Sequence, residues 1–302
     1  MNYRRLWIGF GAVVIISFAV LGYFGREIYR KAPPIPSKVV TTDGRVIFTG
    51  QDIKDGQNIW QSIGGQEVGT IWGHGSYVAP DWSADWLHRE SVFILDKYAR
   101  ENDSTDFSSL PPEKQAAYKI RLQKELRTNT YDEAGNQFVI SPLRALAIEE
   151  VSKHYSGLFM NDPALSKLRD AYAIPVNTIK VQERMDKMNA FFFWTAWACV
   201  TNRPGSDISY TNNWPSEELV ANKPTSSLIL WTGFSVIMLL AGIGLLGWYY
   251  ARTRQEEPEE MLKRDPFFGQ VMTASMKATL KYFWVVTGLI LVQVIMGIVT
   301  AQ

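Results

Sequence analysis

Cysteine is almost absent: among 302 residues Cys199 stands alone, and histidine occurs three times, at His74, His88 and His154. A lone cysteine excludes an internal disulfide and any zinc or iron–sulfur centre built from several thiolates. It also excludes the C-x-x-C-H attachment of a c-type haem, which needs two thioethers. Net charge is scarce too, +1 over the whole chain with a pI near 7.8. Neither a nucleic-acid footprint nor a strongly acidic partner follows from such a balance. Internal repeats and low-complexity tracts are lacking.

What is present is apolar residue, gathered into three blocks. Leu6–Phe24 carries no charge and is flanked by Arg4 and Arg5 before and Arg26, Arg30 and Lys31 after. It is longer than a signal-peptide core and has no small-x-small cleavage site, which predicts an uncleaved anchor. The second block, Ser227–Tyr250, lies in an uncharged window between Lys223 and Arg252, a strong membrane-span signal. Its GIGLLG run (Gly242, Gly244, Gly247) matches the dinucleotide fingerprint in letters only. No strand precedes it and its surroundings are apolar, so helix packing is the better reading of these glycines. The third block, Tyr282–Gln302, is uncharged to the last residue, with Gln293 near its middle, where a polar side chain usually faces a protein partner. Nothing polar follows Gln302, so the sequence reads as cut inside this span.

Between the second and third spans, residues 251–281 carry Arg252, Arg254, Lys263, Arg264, Lys277 and Lys281. Short loops rich in Lys and Arg stay cytoplasmic, which places the N-terminus inside and residues 25 to 225 outside. Glu256, Glu257, Glu259 and Glu260 in the same loop read as a solvated face.

The outer region is long enough for one domain with its own core. A proline-stiffened linker, KAPPIPSK, leads into VVTTDGRVIFTG, two β-rich runs about Asp43-Gly44 that predict a hairpin. Helices are expected over Gln51–Ser62, from Asp81 to about Arg100, and from Pro112 to about Arg127, followed by a hairpin in TYDEAGNQFVI. Two or more helices should fill Pro142–Ala173, broken at Gly157 and Pro163. A last helix, Val176–Asn202, holds the run AFFFWTAWACV. With 13 residues from Met188 to Val200 it is too short to span and reads as a buried core helix.

The stretch about which the rest is arranged is GQNIWQSIGGQEVGTIWGHGSYVAPDWSADWLHRE, Gly56–Glu90. Glycine serves where φ is positive or something approaches closely, and tryptophan fills large spaces while its N–H seeks an acceptor. The segment therefore reads as a shaped, ordered loop opening a helix that Asp81 caps. Trp82, Trp86, Phe93 and Ile94 recur at helical spacing on that helix, and Asp85 and Arg89 sit at i,i+4 for an ion pair. His74, His88, Asp81 and Asp85 could gather a transition metal, but loosely spaced oxygen and nitrogen donors are a weak signal. Ser76 lacks the G-x-S-x-G context of a hydrolase, and His154 beside Tyr155 reads as an ordinary half-exposed histidine.

Two runs carry a resemblance: WQSIGGQEVGTIWGHGSYVAPDWSADWLHRE and FFFWTAWACVTNRPGSDISYTNNWPSEELVANKPT. Both are similar to the N-terminal part of quinol-dependent nitric oxide reductases, in the haem–copper oxidase superfamily, and the similarity spans essentially the whole chain. It implies a mainly α membrane protein with three transmembrane helices and a haem-free, cytochrome-c-like outer domain with short β-hairpins. The activity implied is 2 NO + 2 e⁻ + 2 H⁺ giving N₂O and water. Haem b, haem b₃ and a non-haem iron serve it in the family, held by histidines of a transmembrane catalytic portion beyond Gln302. With three histidines, none in a span, this segment alone is not equipped for that chemistry, and no catalytic or cofactor-binding residue is assigned. The resemblance also implies a calcium ion where the outer domain meets the catalytic portion, near haem propionates. Its G-x-Y ligands fall on Gly75 (backbone carbonyl) and Tyr77 (hydroxyl), donors that suit calcium, while the carboxylate comes from the catalytic portion. The family places a histidine soon after the Thr300-Ala301 equivalent; this chain has Gln302, so no quinol ligand is assigned.

The division expected is an anchor at 1–31, a periplasmic cytochrome-c-like domain at 32–225 and a second span at 226–251. A basic cytoplasmic loop at 252–280 and the first helix of the catalytic portion at 281–302 complete it. Partners implied are the catalytic portion, membrane quinol and the bilayer of a bacterial inner membrane, with a homodimer compatible and no nucleic acid. The alternative is a membrane-anchored, non-catalytic docking or assembly protein with a periplasmic binding domain. The reading frame past codon 302 separates the two.

Overall fold

The computed structural model of the chain describes residues 3–255 and 273–300. Its contacts fall into two units, Met1–Trp60 with Gln66–Pro224, and Gln61–Gly65 with Thr225–Gln302. The first unit opens with α1 (Tyr3–Lys31), and the second contains α9 (Ser226–Gln255) and α10 (Ala274–Thr300). Three stretches on these helices, Trp7–Lys31, Ser226–Arg252 and Ala274–Gln293, are long and apolar enough to cross a membrane. GIGLLG lies mid-helix in α9 and not at a strand-to-helix turn, so the dinucleotide reading fails. Helix α10 starts ahead of Tyr282 because ASMKATLK is itself helix-forming, and Gln293 is exposed on it. Most of the basic loop expected at 252–280, with Glu256, Glu257, Glu259, Glu260, Lys263 and Arg264, lies outside the described residues, as does Gln302.

Between α1 and α9 the chain runs β1 (Lys38–Thr41), β2 (Val46–Thr49), α2 (Gly50–Ser62), α3 (Gly65–Val68), β3 (Thr70–Ile71) and β4 (His74–Gly75). It continues through α4 (Trp82–Asp103), α5 (Pro112–Arg127), β5 (Tyr131–Asp132), β6 (Gln137–Ile140), α6 (Pro142–Phe159), α7 (Ser166–Ala171) and α8 (Gln182–Val200). Both expected hairpins form, the first turning at Gly44 (φ +89°). Strand β1 also pairs in parallel with β6, Lys38 opposite Gln137 through Thr41 opposite Ile140, which joins the hairpins into one sheet ordered β2-β1-β6-β5.

Helix α8 is the core. Every residue from Met188 to Val200 is buried, and α8 packs on both α4 and α6. Rings interlock there: Trp82 stacks on Phe192 at an interplanar angle of 14°, Trp86 on Tyr155 at 4°, and Trp60 meets Phe192 edge-on at 5.4 Å. The helix begins at Gln182, later than expected, because Asn177 sits at φ +56° and residues 173–181 are irregular, with one turn at 176–177. Phe93 of α4 is only half-buried; the buried stripe continues through Glu90, Ile94 and Tyr98.

Two glycines decide packing. Gly157 does not break α6, which runs on to Phe159; a Cβ there would press on Asp162 and Leu165 at 3.1 Å, so the glycine lets the following turn fold back. Gly56 lets α2 cross α8, since a Cβ would collide with the Lys187 carbonyl oxygen and come within 2.8 Å of the Phe191 Cβ. Gly56→Ala is expected to destabilise the outer domain by about 1–3 kcal/mol through overpacking. A thermal melt of the variant with an unchanged midpoint would show that the crossing yields freely.

Candidate functional site

The Gly/Trp stretch folds as a two-residue turn at Trp72-Gly73 joining β3 to β4, with Ile71 opposite His74 and Thr70 opposite Gly75. Trp72 (φ +55°) and Gly73 (φ +81°) are both left-handed, as the turn matching strand twist requires. A tryptophan in that conformation costs about 1–2 kcal/mol, offset here by its contacts. Its Nε1 donates to the Thr195 carbonyl at 2.9 Å, its backbone N–H donates to Ser83 Oγ at 3.1 Å, and its ring lies 5.5 Å from that of Trp194. The ring of Trp214 closes over Gly73, where a Cβ would sit 2.6 Å from its Nε1.

Asp81 ties this hairpin to helix α4. Its Oδ1 accepts from the Ala84 N–H at 3.0 Å, the N-cap bond expected from the sequence, and from Ser83 Oγ. Its Oδ2 accepts from Thr70 Oγ1 at 2.7 Å and from the Gly73 N–H at 2.6 Å. Four donors thus converge on one carboxylate. Buried Cys199 lies against Ser83, Thr211 and Trp72, and burial pushes its thiol well above the ordinary thiol range, so it is an inert packing residue.

Gly75 and Tyr77 both lie on the exposed side of this hairpin. Gly75 takes φ +140°, and a Cβ on it would collide with the Gly69 carbonyl oxygen and reach the Gln66 carbonyl oxygen at 3.0 Å. Only glycine suits that position. Tyr77 is 82% exposed, and its hydroxyl makes one long contact, to the Gly73 carbonyl at 3.4 Å.

The histidines do not gather. His88 Nδ1 lies 2.9 Å from Glu217 Oε2, Asp85 pairs with Arg89 at 2.8 Å and accepts from Tyr155 Oη at 2.6 Å, and His74 is exposed on β4. Among the described residues no group of three or more His, Cys, Asp or Glu is placed to hold a metal, so the His74–His88–Asp81–Asp85 possibility is set aside. His154 is half-buried beside Tyr155, and burial together with the Arg89 charge lowers its pKa.

The family model of the NorB cytochrome c-like domain of nitric oxide reductase matches residues 36–216, more than half of the chain. The chain belongs to that family. No curated protein matches it. The matched NorB segment takes in the Trp72 turn, Asp81, Gly75, Tyr77 and all of α8. The domain's one cysteine is buried, and Trp82, Trp86, Tyr155 and Phe192 fill the interior with rings. Sequence reasoning missed two pieces of the domain, the buried Glu90–Arg144 pair and the docking of the linker, where Trp194 Nε1 donates to the Pro34 carbonyl at 2.9 Å.

Proposed function

We propose that this chain is the N-terminal part of a respiratory, quinol-dependent nitric oxide reductase, with its outer domain a haem-free periplasmic cap on the catalytic portion. The anchor and orientation follow the basic loop between the second and third spans, with the N-terminus cytoplasmic in a bacterial inner membrane. When bound in the catalytic portion, haem b, haem b₃ and the non-haem iron supply the electron transfer and NO coupling. This chain's residues hold, orient and cover.

One observation carries the reading. Trp194 grips Pro34, three residues after α1 ends at Lys31, and the same ring packs on Trp72 of the hairpin. Three extended residues reach at most about 10 Å. The hairpin with Gly75 and Tyr77 is therefore held close to where the membrane anchor ends, as a cap over a membrane-embedded partner requires.

The donors fit calcium in part. A carbonyl and a hydroxyl are hard oxygens of the kind calcium accepts in its shell of six to eight. The long Tyr77–Gly73 contact leaves that hydroxyl free to turn toward a cation. Asp81 already serves four donors, so the hairpin offers two neutral ligands, and the balancing charge must come from across the interface.

Tyr77→Phe removes one oxygen from an exposed ring. A contact to a charged group contributes about 1.5–3 kcal/mol, so calcium binding by the intact reductase should weaken about ten- to a hundredfold. Its calcium-free melting midpoint should not move, and equal calcium affinity in wild type and variant would remove Tyr77 from the shell. For the activity itself, the purified intact protein should show b-type haem absorbance and consume NO with a quinol as reductant. A colourless preparation lacking that activity contradicts the proposal.

A further inference from the structure

Two stretches of the outer domain are free of Lys, Arg, Asp and Glu. Residues 68–80 hold only the titratable His74, and residues 208–216 hold no titratable acid or base except Tyr210. Basic residues are missing over longer runs, with no Lys or Arg from 55 to 88 or from 204 to 222. The fold brings the two stretches together at Gly73. The Trp214 ring covers that glycine, where a Cβ would lie 2.6 Å from the indole Nε1, and the Tyr77 hydroxyl reaches its carbonyl at 3.4 Å. Trp214 stands on a shaped segment: Ser209 N–H donates to Asn213 Oδ1 at 2.9 Å, and Asn213 N–H returns to Ser209 Oγ at 2.8 Å.

Among the described residues between 32 and 225, the exposed aromatic side chains are these same two, Tyr77 at 82% and Trp214 at 40%. Single exposed aliphatic residues elsewhere, such as Ile120 on α5 and Leu146 on α6, are ordinary on any protein surface. A tryptophan and a tyrosine side by side in a zone emptied of charge have the composition of the centre of a protein–protein contact. Packing on Gly73 accounts for one edge of the indole. It does not account for the exposed remainder of that ring, or for Tyr77 beside it.

Two facts point to what covers them. The Trp194 contacts to Pro34 and Trp72 hold this hairpin close to the end of the membrane anchor. An anionic bilayer surface attracts Lys and Arg, yet both runs lack them, and the charges that bound the two stretches are acidic: Glu67 and Asp81, Asp207 and Glu217. A protein face fits this zone better than lipid headgroups do.

We propose that Tyr77 and Trp214 form the apolar centre of the contact between the outer domain and the membrane-embedded catalytic portion of the same protein. Trp214 seats Gly73 with one edge and packs on that portion with the rest of its ring. The inference rests on the reductase reading above. It gives a use to the second of the two runs that carry the family resemblance, which calcium ligation by Gly75 and Tyr77 leaves without one.

Hydroxyl-radical footprinting, read residue by residue by mass spectrometry, compares this chain with the intact reductase, each in phosphatidylcholine nanodiscs with calcium present. Trp214 is the residue to follow, because it offers calcium no ligand and its protection reports packing alone. Trp214 and Tyr77 are expected to oxidise readily in the chain and severalfold more slowly in the intact protein, with Ile120 and Leu146 unchanged. Equal Trp214 reactivity in the two proteins overturns the inference. So does protection already present in the nanodisc-bound chain and lost in detergent, which assigns the cover to lipid. An intact protein that holds no haem and consumes no NO rejects the reductase reading; an active one with Trp214 still reactive rejects this inference alone.

Discussion

Glu90→Ala is expected to cost the outer domain about 3–5 kcal/mol, enough to unfold a marginal domain near physiological temperature. Glu90 is fully buried on α4, and Arg144, nearly as buried on α6, donates from Nε to its Oε1 at 2.7 Å. The Arg144 guanidinium also lies 5.4 Å from the centre of the Phe193 ring, so the pair joins α4, α6 and α8. Removing the carboxylate leaves a cation with no counter-charge among packed rings. The pair is itself incompletely satisfied, because Glu90 Oε2 and Arg144 Nη2 have no partner among the described residues. Its net value over an apolar filling is accordingly small. Glu90→Leu with Arg144→Met should therefore recover most of what either single change loses. Denaturation followed by near-ultraviolet circular dichroism decides the matter, and a single variant within about 1 kcal/mol of wild type would contradict it.

Asp81→Ala carries the second large effect. It deletes an N-cap, worth about 0.5–2 kcal/mol, and leaves the Thr70 hydroxyl and the Gly73 N–H without their acceptor, at about 1.5–3 kcal/mol for each bond to a charged group. Those bonds share one side chain and do not add fully, so a loss of about 3 kcal/mol is expected, together with failure of the hairpin to present Gly75 and Tyr77. Asp81→Asn retains one acceptor oxygen and should lose about half as much. On the proposed calcium reading, stabilisation of the intact protein by calcium separates structure from presentation: it is expected in wild type, reduced in the asparagine variant and absent in the alanine variant. A full calcium response in Asp81→Ala would show that the hairpin holds its shape by other means.

Local chemistry made much of this legible in the sequence. Asp81 as a cap, Asp85 with Arg89 at i,i+4, a turn at Gly44 and the buried run from Met188 to Val200 all depend on neighbours a few residues away. What stayed hidden depends on distant partners. The parallel pairing of β1 with β6 joins strands about a hundred residues apart, and nothing in either run names the other. Glu90 sits in an apolar stripe where a charge reads as an interruption until Arg144 arrives from α6. Gly157 reads as a helix breaker when its use is to admit the turn at Asp162. For the candidate site, glycine density marked the hairpin, but its attachment through Trp72, Trp194 and Pro34 is a tertiary fact.

The claim at the centre is that this hairpin clamps the domain onto its membrane partner through an ion. Locating calcium in the intact reductase, by anomalous scattering from crystals, tests it most directly. The account predicts an ion within about 2.3–2.6 Å of both the Gly75 carbonyl and the Tyr77 hydroxyl, with that hydroxyl turned away from Gly73. An ion bound elsewhere, with Tyr77 still resting on the Gly73 carbonyl, would contradict it.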